Sequence, residues 1–264
     1  MMDSGVTELS PAETGGLGTI RLHHPPGTFA PTPATRITLM AVAQHRDGLV
    51  GSGVDWGCGV GVLSIGAARL DTVDRVVGLD LSRANVNAAE ANAVANGVDD
   101  RAVFTVSDSF DPVDSDGRSL LEPLRGRLDF LIANPPYSTT NDGFDFRRRV
   151  MRDGAQYLRP GGLALVQALS AYGAERVEEL AADEYRYEGV ALRTDLVPLD
   201  FGRRQLRRQL TVYVAEERRG GRTYEFFSGD AAKGPLTATD TLRALRAGET
   251  LFGRWQAHRF RRLA

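Results

Sequence analysis

The sequence has a single cysteine and no long hydrophobic run. Because Cys58 is alone among 264 residues, the chain cannot form an internal disulfide, which fits a reducing compartment. No apolar run approaches the roughly 20 residues that a bilayer-spanning helix needs, and the N-terminus lacks the basic-then-apolar pattern of a signal peptide. We therefore expect a cytoplasmic protein that does not contact a membrane.

Charge is distributed unevenly along the chain. Residues 1–199 contain 18 basic and 27 acidic residues, whereas residues 200–264 contain 14 basic and 7 acidic ones. We expect residues 219–264 to be a basic C-terminal extension beyond the main domain. Such an extension suggests a polyanionic or acidic partner. The alternative is that its arginines only solvate a surface.

The order of apolar and polar segments predicts the fold class. Residues 1–18 are polar and glycine-rich, and we expect them to form a flexible leader. From Gly51 onward, strand-like and helix-like segments alternate, which predicts a doubly wound α/β fold with a mostly parallel sheet. Two further β runs are separated by too few residues for a crossover helix, so we expect them to close the sheet as a C-terminal antiparallel hairpin. These runs are residues 189–197 and 209–215.

A glycine loop follows the first predicted strand. It reads Asp55-Trp56-Gly57-Cys58-Gly59-Val60-Gly61. Glycines let a ligand approach the backbone because no Cβ stands in the way. The spacing differs from the G-x-G-x-x-G of dinucleotide-binding proteins, which disfavours a nicotinamide oxidoreductase.

Acidic residues end the first three predicted strands. Asp55 precedes the glycine loop, Asp80 ends the second strand, and Asp108, followed by Ser109, ends the third. Because the carboxyl ends of parallel strands meet at one edge of a sheet, these carboxylates are expected to flank the loop. Each acid alone could also be a helix cap or a turn residue. Three of them at successive strand ends indicate a ligand site.

The tetrapeptide Asn134-Pro135-Pro136-Tyr137 follows the apolar run 128–133, which predicts a central strand. The prolines restrict φ and stiffen the segment. The Asn134 side-chain carbonyl and the Pro135 backbone carbonyl can accept hydrogen bonds from both N–H groups of a planar amine or amide. Tyr137 offers a flat face for stacking. The alternative is an ordinary proline turn after a strand.

In this order and spacing, the glycine loop and Asn134–Tyr137 resemble the class I S-adenosylmethionine-dependent methyltransferases, in the branch that methylates nitrogen. The resemblance covers roughly residues 20 to 218, and we expect residues 19–218 to form the methyltransferase domain. It implies a seven-stranded Rossmann-like sheet, catalysis by Asn134, Pro135, Pro136 and Tyr137, and no metal. It also implies S-adenosylmethionine as cofactor, bound by Phe29, Thr35, Asp55, Gly57, Cys58, Gly59, Gly61, Asp80, Leu81, Asp108, Ser109 and Asn134.

The resemblance also implies how some of these residues contact the cofactor. It places Asp55 near the amino acid end of the cofactor, Asp80 at the ribose hydroxyls and Asp108 at the adenine amino group. Residues 26–31, together with Thr35, are similar to a segment that covers the cofactor in ribosomal-RNA guanine-N2 and release-factor glutamine methyltransferases. Phe29 could pack there on the adenosyl group, or it could be a core residue.

The resemblance narrows the acceptor atom but not the acceptor molecule. Enzymes with this motif methylate adenine N6, guanine N2 or the side-chain amide of glutamine, so RNA and protein are both open. The basic C-terminal residues favour a macromolecule over a small metabolite. A non-catalytic methyltransferase-like binding subunit is the alternative from another class, and the presence of both Asp80 and Asn134 disfavours it. The sequence indicates no oligomeric state.

Overall fold

A computed structural model describes residues 5–138, 142–229 and 234–264. Thirteen strands occur in these residues: β1 Gly5–Leu9, β2 Ile20–His24, β3 Gly51–Trp56, β4 Val73–Asp80, β5 Ala102–Asp108, β6 Asp111–Pro112, β7 Leu128–Ala133, β8 Leu158–Leu169, β9 Tyr185–Arg193, β10 Val197–Pro198, β11 Phe227–Ser228, β12 Leu251–Gly253 and β13 Trp255–Arg262. The α-helices in the same residues are α1 Pro33–Gln44, α2 Val62–Ala68, α3 Arg83–Ala95, α4 Ser115–Leu121, α5 Asp145–Gly154, α6 Ala174–Glu178, α7 Arg204–Arg218 and α8 Ala238–Arg246.

The central sheet has the order β6-β5-β4-β3-β7-β8-β13-β9. Strands β5, β4, β3, β7 and β8 are parallel neighbours, and β13 runs antiparallel to both β8 and β9. Apart from the two-residue β6, the sheet therefore has seven strands and ends in an antiparallel pair. The prediction of a doubly wound, mostly parallel α/β fold is confirmed.

Both faces of the sheet are covered by helices, as the apolar run of β7 predicts. Leu131 packs into one hydrophobic core, which includes residues of α5 and α7. Phe130 and Ile132 point to the opposite face and pack into a second core with residues of α1, α2 and α3. All three side chains are fully buried. Among the described residues, none of the helices has both the length and the apolar character required to cross a membrane.

The prediction of a flexible leader is wrong for the described part of residues 1–18. β1 pairs with β2 in an antiparallel ribbon, and Leu9, Thr14 and Leu17 are buried. The Thr14 hydroxyl donates to the carbonyl of Gly18 over 2.8 Å. The polar composition was misleading because only two apolar side chains, Leu9 and Leu17, hold this segment against the second core.

The prediction that residues 209–215 form the second strand of the hairpin is also wrong, because these residues belong to α7. Gln209, Leu210, Tyr213 and Val214 are its buried residues, and their spacing of one, three and four positions is helical. The residues Thr211-Val212-Tyr213-Val214 have high strand propensity, which tertiary packing overrides here. The true partner of β9 is β13, which lies beyond a long insertion, residues 194–254.

The C-terminal residues are therefore part of the main domain rather than a basic extension. Strand β13 lies between β8 and β9, and its arginines form ion pairs with the neighbouring acids. Arg259 and Arg261 both pair with Glu188, at 2.9 and 3.1 Å, and Arg262 pairs with Glu184 at 2.8 Å. Much of the positive charge near the C-terminus is thus neutralised within the fold.

We predict that β13 contributes strongly to stability. Phe260 is fully buried between Tyr185 and Tyr187, so Phe260→Ala should lower the free energy of unfolding by about 3–5 kcal/mol. Urea denaturation measures this change. Val94→Ala, at a 63% exposed position on α3, is the control and should shift stability by no more than about 0.5 kcal/mol. Equal midpoints for the two variants would contradict the placement of β13.

Candidate functional site

A cavity of about 570 Å³ lies at the carboxyl ends of the parallel strands. This is the edge at which open α/β sheets bind ligands. Most of the residues predicted from the sequence line it: Phe29, Thr35, Gly57, Cys58, Gly59, Asp80, Leu81, Asp108, Ser109, Asn134, Pro135, Pro136 and Tyr137. Asp55 and Gly61 do not line it. Phe29 is 53% exposed at this cavity, so it is not a core residue.

The glycine loop exposes its backbone to the cavity. Gly57 and Gly59 have φ values of +69° and +55°, which L-residues rarely adopt. A Cβ at either position would meet no atom within 4 Å, so the space beside the loop is open. Cys58 between them is buried, and burial raises the pKa of its thiol well above the usual range. The thiol is therefore protonated and serves as a packing group.

Asp80 connects the glycine loop to α3. Its Oδ2 accepts a hydrogen bond from the Gly59 N–H at 2.9 Å. Its Oδ1 accepts from the Ser82 N–H at 2.9 Å and from Asn85 Nδ2 at 3.0 Å. These bonds fix the carboxylate at the cavity wall. Because Oδ2 has a second lone pair, it can still accept a hydrogen bond from a ligand.

Asp55 has a different environment from Asp80. It is fully buried, and its Oδ2 accepts hydrogen bonds from the backbone N–H and the hydroxyl of Ser64 at 3.0 and 2.6 Å. Its Oδ1 has no hydrogen-bond partner among the described residues. Burial outweighs the hydrogen bonds and raises the pKa of this carboxyl to about 7. Asp55 thus lies in β3 with its carboxyl bound to the first turn of α2, and it does not line the cavity.

Asp108 and Ser109, at the end of β5, differ in whether their side chains can bind a ligand. The Asp108 carboxylate is 55% exposed and pairs with Arg149 through one oxygen at 2.7 Å. Ser109 has a φ of +63°, and its hydroxyl donates to Asp153 at 2.8 Å and accepts from the Trp56 indole at 2.8 Å. Asp108 therefore remains available to the cavity, whereas the Ser109 side chain is occupied by structural bonds.

Asn134 is held by a residue 99 positions earlier in the chain. Its Nδ2 donates to the Thr35 hydroxyl oxygen at 3.1 Å. Thr35 in turn forms a capping box with Thr32 at the start of α1, which fixes the hydroxyl. The Asn134 Oδ1 accepts no hydrogen bond from any residue that the structure describes. The amide is thus oriented so that its nitrogen donates to Thr35 and its oxygen can accept a hydrogen bond from a ligand in the cavity.

Arg147, which we did not predict, supports the segment Asn134–Tyr137, called here the proline loop. Its buried guanidinium donates to the backbone carbonyls of Pro135 and Pro136, each at 3.3 Å. It also donates to the backbone carbonyl of Gln167 at 2.8 Å and to its side-chain carbonyl at 3.0 Å. Arg147 lies on the buried face of α5 with Val150 and Met151, at positions i, i+3 and i+4. That spacing was the signal in the sequence that could have identified it.

Helix α7 of the insertion forms the outer wall of the cavity, which the sequence also did not predict. Arg203, Leu206 and Gln209 line the cavity. The Gln209 amide donates to the hydroxyls of Tyr172, at 3.3 Å, and Tyr213. The bond to Tyr172 connects the insertion to the rest of the domain, whereas the bond to Tyr213 lies within α7.

The proline loop meets α7 at Tyr137. Burial raises the pKa of the Tyr137 hydroxyl, and the positive charge of Arg208 acts in the opposite direction. The proline loop and the first turns of α7 together form the mouth of the cavity.

Asp55 should make stability depend on pH. In the unfolded chain the pKa of an aspartate is about 3.9. Between about pH 4 and the folded-state pKa of about 7, the Asp55 carboxyl is therefore protonated in the folded chain and ionised in the unfolded chain. The contribution of Asp55 to the free energy of unfolding should therefore fall as pH rises through this window, by on the order of 4 kcal/mol.

Asp55→Asn keeps an oxygen for Ser64 and removes the titration. Urea unfolding at a series of pH values should show the variant gaining stability relative to the wild type from pH 4 to 7. Asp47→Asn, at an exposed position, is the control and should follow the wild-type profile. A constant difference between wild type and Asp55→Asn across this range would contradict the burial of a protonated carboxyl.

Comparison with known proteins agrees with this architecture. The family model described as "Methyltransferase small domain" matches residues 19–186. Ribosomal RNA small subunit methyltransferase C of Alcanivorax borkumensis is 30% identical over 142 residues, which cover 52% of this chain and 39% of that protein. Release factor glutamine methyltransferase of Thermosynechococcus vestitus is 26% identical over 195 residues, covering 65% of this chain and 64% of that protein. The chain thus spans less than two thirds of either relative.

A solved structure shows the same fold. The T. thermophilus 16S rRNA N2 methyltransferase, in complex with AdoMet and guanosine, has a TM-score of 0.54 and 21% identity, covering 71% of this chain and 48% of that one. The family match extends over more than half of the described sequence and includes the glycine loop and Asn134–Tyr137. These findings confirm the resemblance identified from the motifs. The chain belongs to the methyltransferase small domain family.

Proposed function

We propose that this chain is an S-adenosylmethionine-dependent N-methyltransferase that acts on a planar amide or exocyclic amine nitrogen of a macromolecule. The observation that carries this proposal is the orientation of Asn134. Thr35 binds its amide nitrogen, so its amide oxygen remains free at the cavity. A proline turn with no chemical role would not need a polar side chain held in this way.

The cavity fits S-adenosylmethionine, which supplies a methyl group on a sulfonium when bound. The exposed backbone at Gly57 and Gly59 would accept the close approach of the cofactor, and the free lone pair of Asp80 Oδ2 would bind a ribose hydroxyl. Asp108 would meet the adenine amino group, and Phe29 would cover the adenosyl group. Asp55 would act indirectly, through the first turn of α2.

The proline loop would make the acceptor nitrogen nucleophilic. The lone pair of an amide or nucleobase amine is delocalised, and two fixed hydrogen-bond acceptors can hold both N–H groups so that the nitrogen becomes pyramidal. Asn134 Oδ1 provides one acceptor. The Pro135 carbonyl provides the other, since Arg147 occupies only one of its lone pairs. Asn134 Oδ1 and the Pro135 carbonyl would bind these N–H groups more strongly as the acceptor nitrogen gained positive charge, because its N–H groups would then be more acidic.

The relatives support a macromolecular acceptor. One is a ribosomal RNA methyltransferase and another a release factor glutamine methyltransferase. The side-chain amide of glutamine is a planar nitrogen with two N–H groups, which matches the two acceptors of the proline loop. Incubation with radiolabelled S-adenosylmethionine and separate pools of RNA, protein and small molecules would identify the acceptor class.

Asp80→Ala should weaken cofactor binding. A charge-assisted hydrogen bond contributes about 1.5–3 kcal/mol, so the dissociation constant should rise by roughly 10- to 150-fold. Isothermal titration calorimetry measures this change. Asp74→Ala, an exposed position near the other end of β4, is the matched control and should bind as the wild type does. An unchanged affinity in a folded Asp80→Ala protein would refute the assignment of the ribose site.

Asn134→Ala should lower kcat by roughly 10²–10³, because one preorganised acceptor is removed. Cofactor affinity should change little, since the Asn134 oxygen is directed at the acceptor. Methyl transfer to the acceptor pool identified with the wild type measures the rate. Wild-type turnover by Asn134→Ala would exclude the proposed nitrogen mechanism.

Thr35 provides a second test of the same geometry. Thr35→Val removes the hydroxyl that holds Asn134 Nδ2, so kcat should fall while Asn134 remains present. Thr35→Ser keeps the hydroxyl and should restore most of the rate. If Thr35→Val and Thr35→Ser were equally active, orientation of Asn134 by Thr35 would not contribute to catalysis.

A further inference from the structure

A second cavity lies on the other side of α7 from the proposed active site. It is a groove of about 740 Å³ between α7 and α8, and both helices belong to the insertion. Helix α7 is the shared wall, because Arg203, Leu206 and Gln209 line the first cavity whereas Arg204 and Arg208 line the groove. The groove and the active site are therefore separated by the thickness of one helix.

The groove carries an excess of positive charge. Arg204, Arg207, Arg208 and Arg246 line it, together with the acids Asp200 and Glu249. Asp200 already pairs with Arg203 at 3.3 Å. The side chains of Arg204, Arg208 and Arg246 are exposed and form no hydrogen bond or ion pair with any residue that the structure describes. By contrast, the arginines of β13 are paired with Glu184 and Glu188.

The arrangement of the arginines limits what could bind. A single carboxylate would need one or two guanidinium groups, whereas here four lie in one groove. Arginine binds phosphate in a bidentate way, and successive phosphates of a strand would engage several arginines together. The rest of the chain is acidic, with 27 acidic against 18 basic residues in positions 1–199, so a polyanion would be directed to this side of the molecule.

We propose that the groove between α7 and α8 binds the phosphates of a single-stranded RNA segment whose base enters the active site past Tyr137. This inference rests on the proposed function and adds the class of acceptor and its docking surface. Helix α7 separates the groove from the cavity, so a strand that crosses this one helix would hold phosphates in the groove and a base at Tyr137, which lines the cavity. A single strand is the favoured form, because a base inside a duplex would first have to be unpaired and flipped out to reach the loop, which costs free energy.

Fluorescence anisotropy with a labelled, unstructured 20-nucleotide RNA tests the groove by binding alone. The triple variant Arg204→Gln, Arg208→Gln and Arg246→Gln should bind at least tenfold more weakly than the wild type. The slope of log affinity against log salt should flatten by about 2, since each single-strand phosphate contact contributes roughly 0.7. Arg207 is left in place because its Nε donates to the Phe201 carbonyl at 2.8 Å.

A second triple variant controls for net charge. The side chains of Arg75, Arg127 and Arg218 are exposed, form no hydrogen bond or ion pair within the described residues, and do not line the groove. Replacing these three with Gln removes the same charge and should leave RNA affinity within about twofold of the wild type. If both triple variants lost affinity equally, binding would follow net charge and the groove would not be the site.

Two further measurements separate this inference from the proposed function. Asn134→Ala should keep the wild-type slope of log RNA affinity against log salt, because it removes no phosphate contact, and the groove variant should keep wild-type affinity for S-adenosylmethionine in calorimetry. If the wild type transferred methyl to a protein or small molecule and bound no RNA, the groove proposal would be refuted and the N-methyltransferase proposal would stand. If RNA bound in the groove but no pool accepted methyl, the proposed function would fail and the docking surface would stand.

Discussion

The geometry of the proposed active site depends on one buried cation. The guanidinium of Arg147 has no carboxylate partner among the described residues, and its hydrogen bonds go to neutral oxygens of Pro135, Pro136 and Gln167. Removing a charge from water is costly, and it is tolerated only where hydrogen bonds replace the lost hydration. The proline loop, α5 and β8 are therefore tied together at a single side chain.

This cation also affects the residues behind the loop. His258 on β13 is buried, and burial together with the charge of Arg147 lowers the pKa of its imidazole to about 4. The imidazole is therefore neutral near pH 7, and its Nδ1 lies 2.9 Å from the Tyr187 hydroxyl. A second positive charge is thus avoided next to Arg147. The Arg147 guanidinium is surrounded by neutral hydrogen-bond acceptors and by the rings of Phe144 and Tyr172.

The sequence predicted the parts of the molecule in which local pattern and tertiary role coincide. The glycine loop, the acids at the ends of β4 and β5 and the Asn134–Tyr137 loop all lie at the same cavity because parallel strands end at one edge. Asp55 does not lie there, since its side chain projects from β3 toward Ser64 of α2, and its place in the motif does not determine that direction. Residues 209–215 were assigned to a strand because β-branched propensity and helical spacing conflict in that segment. The roles of Arg147 and Gln209 depend on contacts between elements that are distant in the sequence. Such contacts cannot be predicted from the residue pattern of a single sequence.

The position of β13 in the sheet has a consequence for synthesis on the ribosome. β9 ends at Arg193, but β13, which must lie between β8 and β9, begins only at Trp255. About sixty residues separate them, which at translation rates of roughly 5–20 residues per second corresponds to roughly 3–12 s. During that interval the edge of β8 has no partner, and such an edge readily pairs with other chains. The nascent protein therefore passes through a period in which this edge of its sheet is open, until β13 has been synthesised.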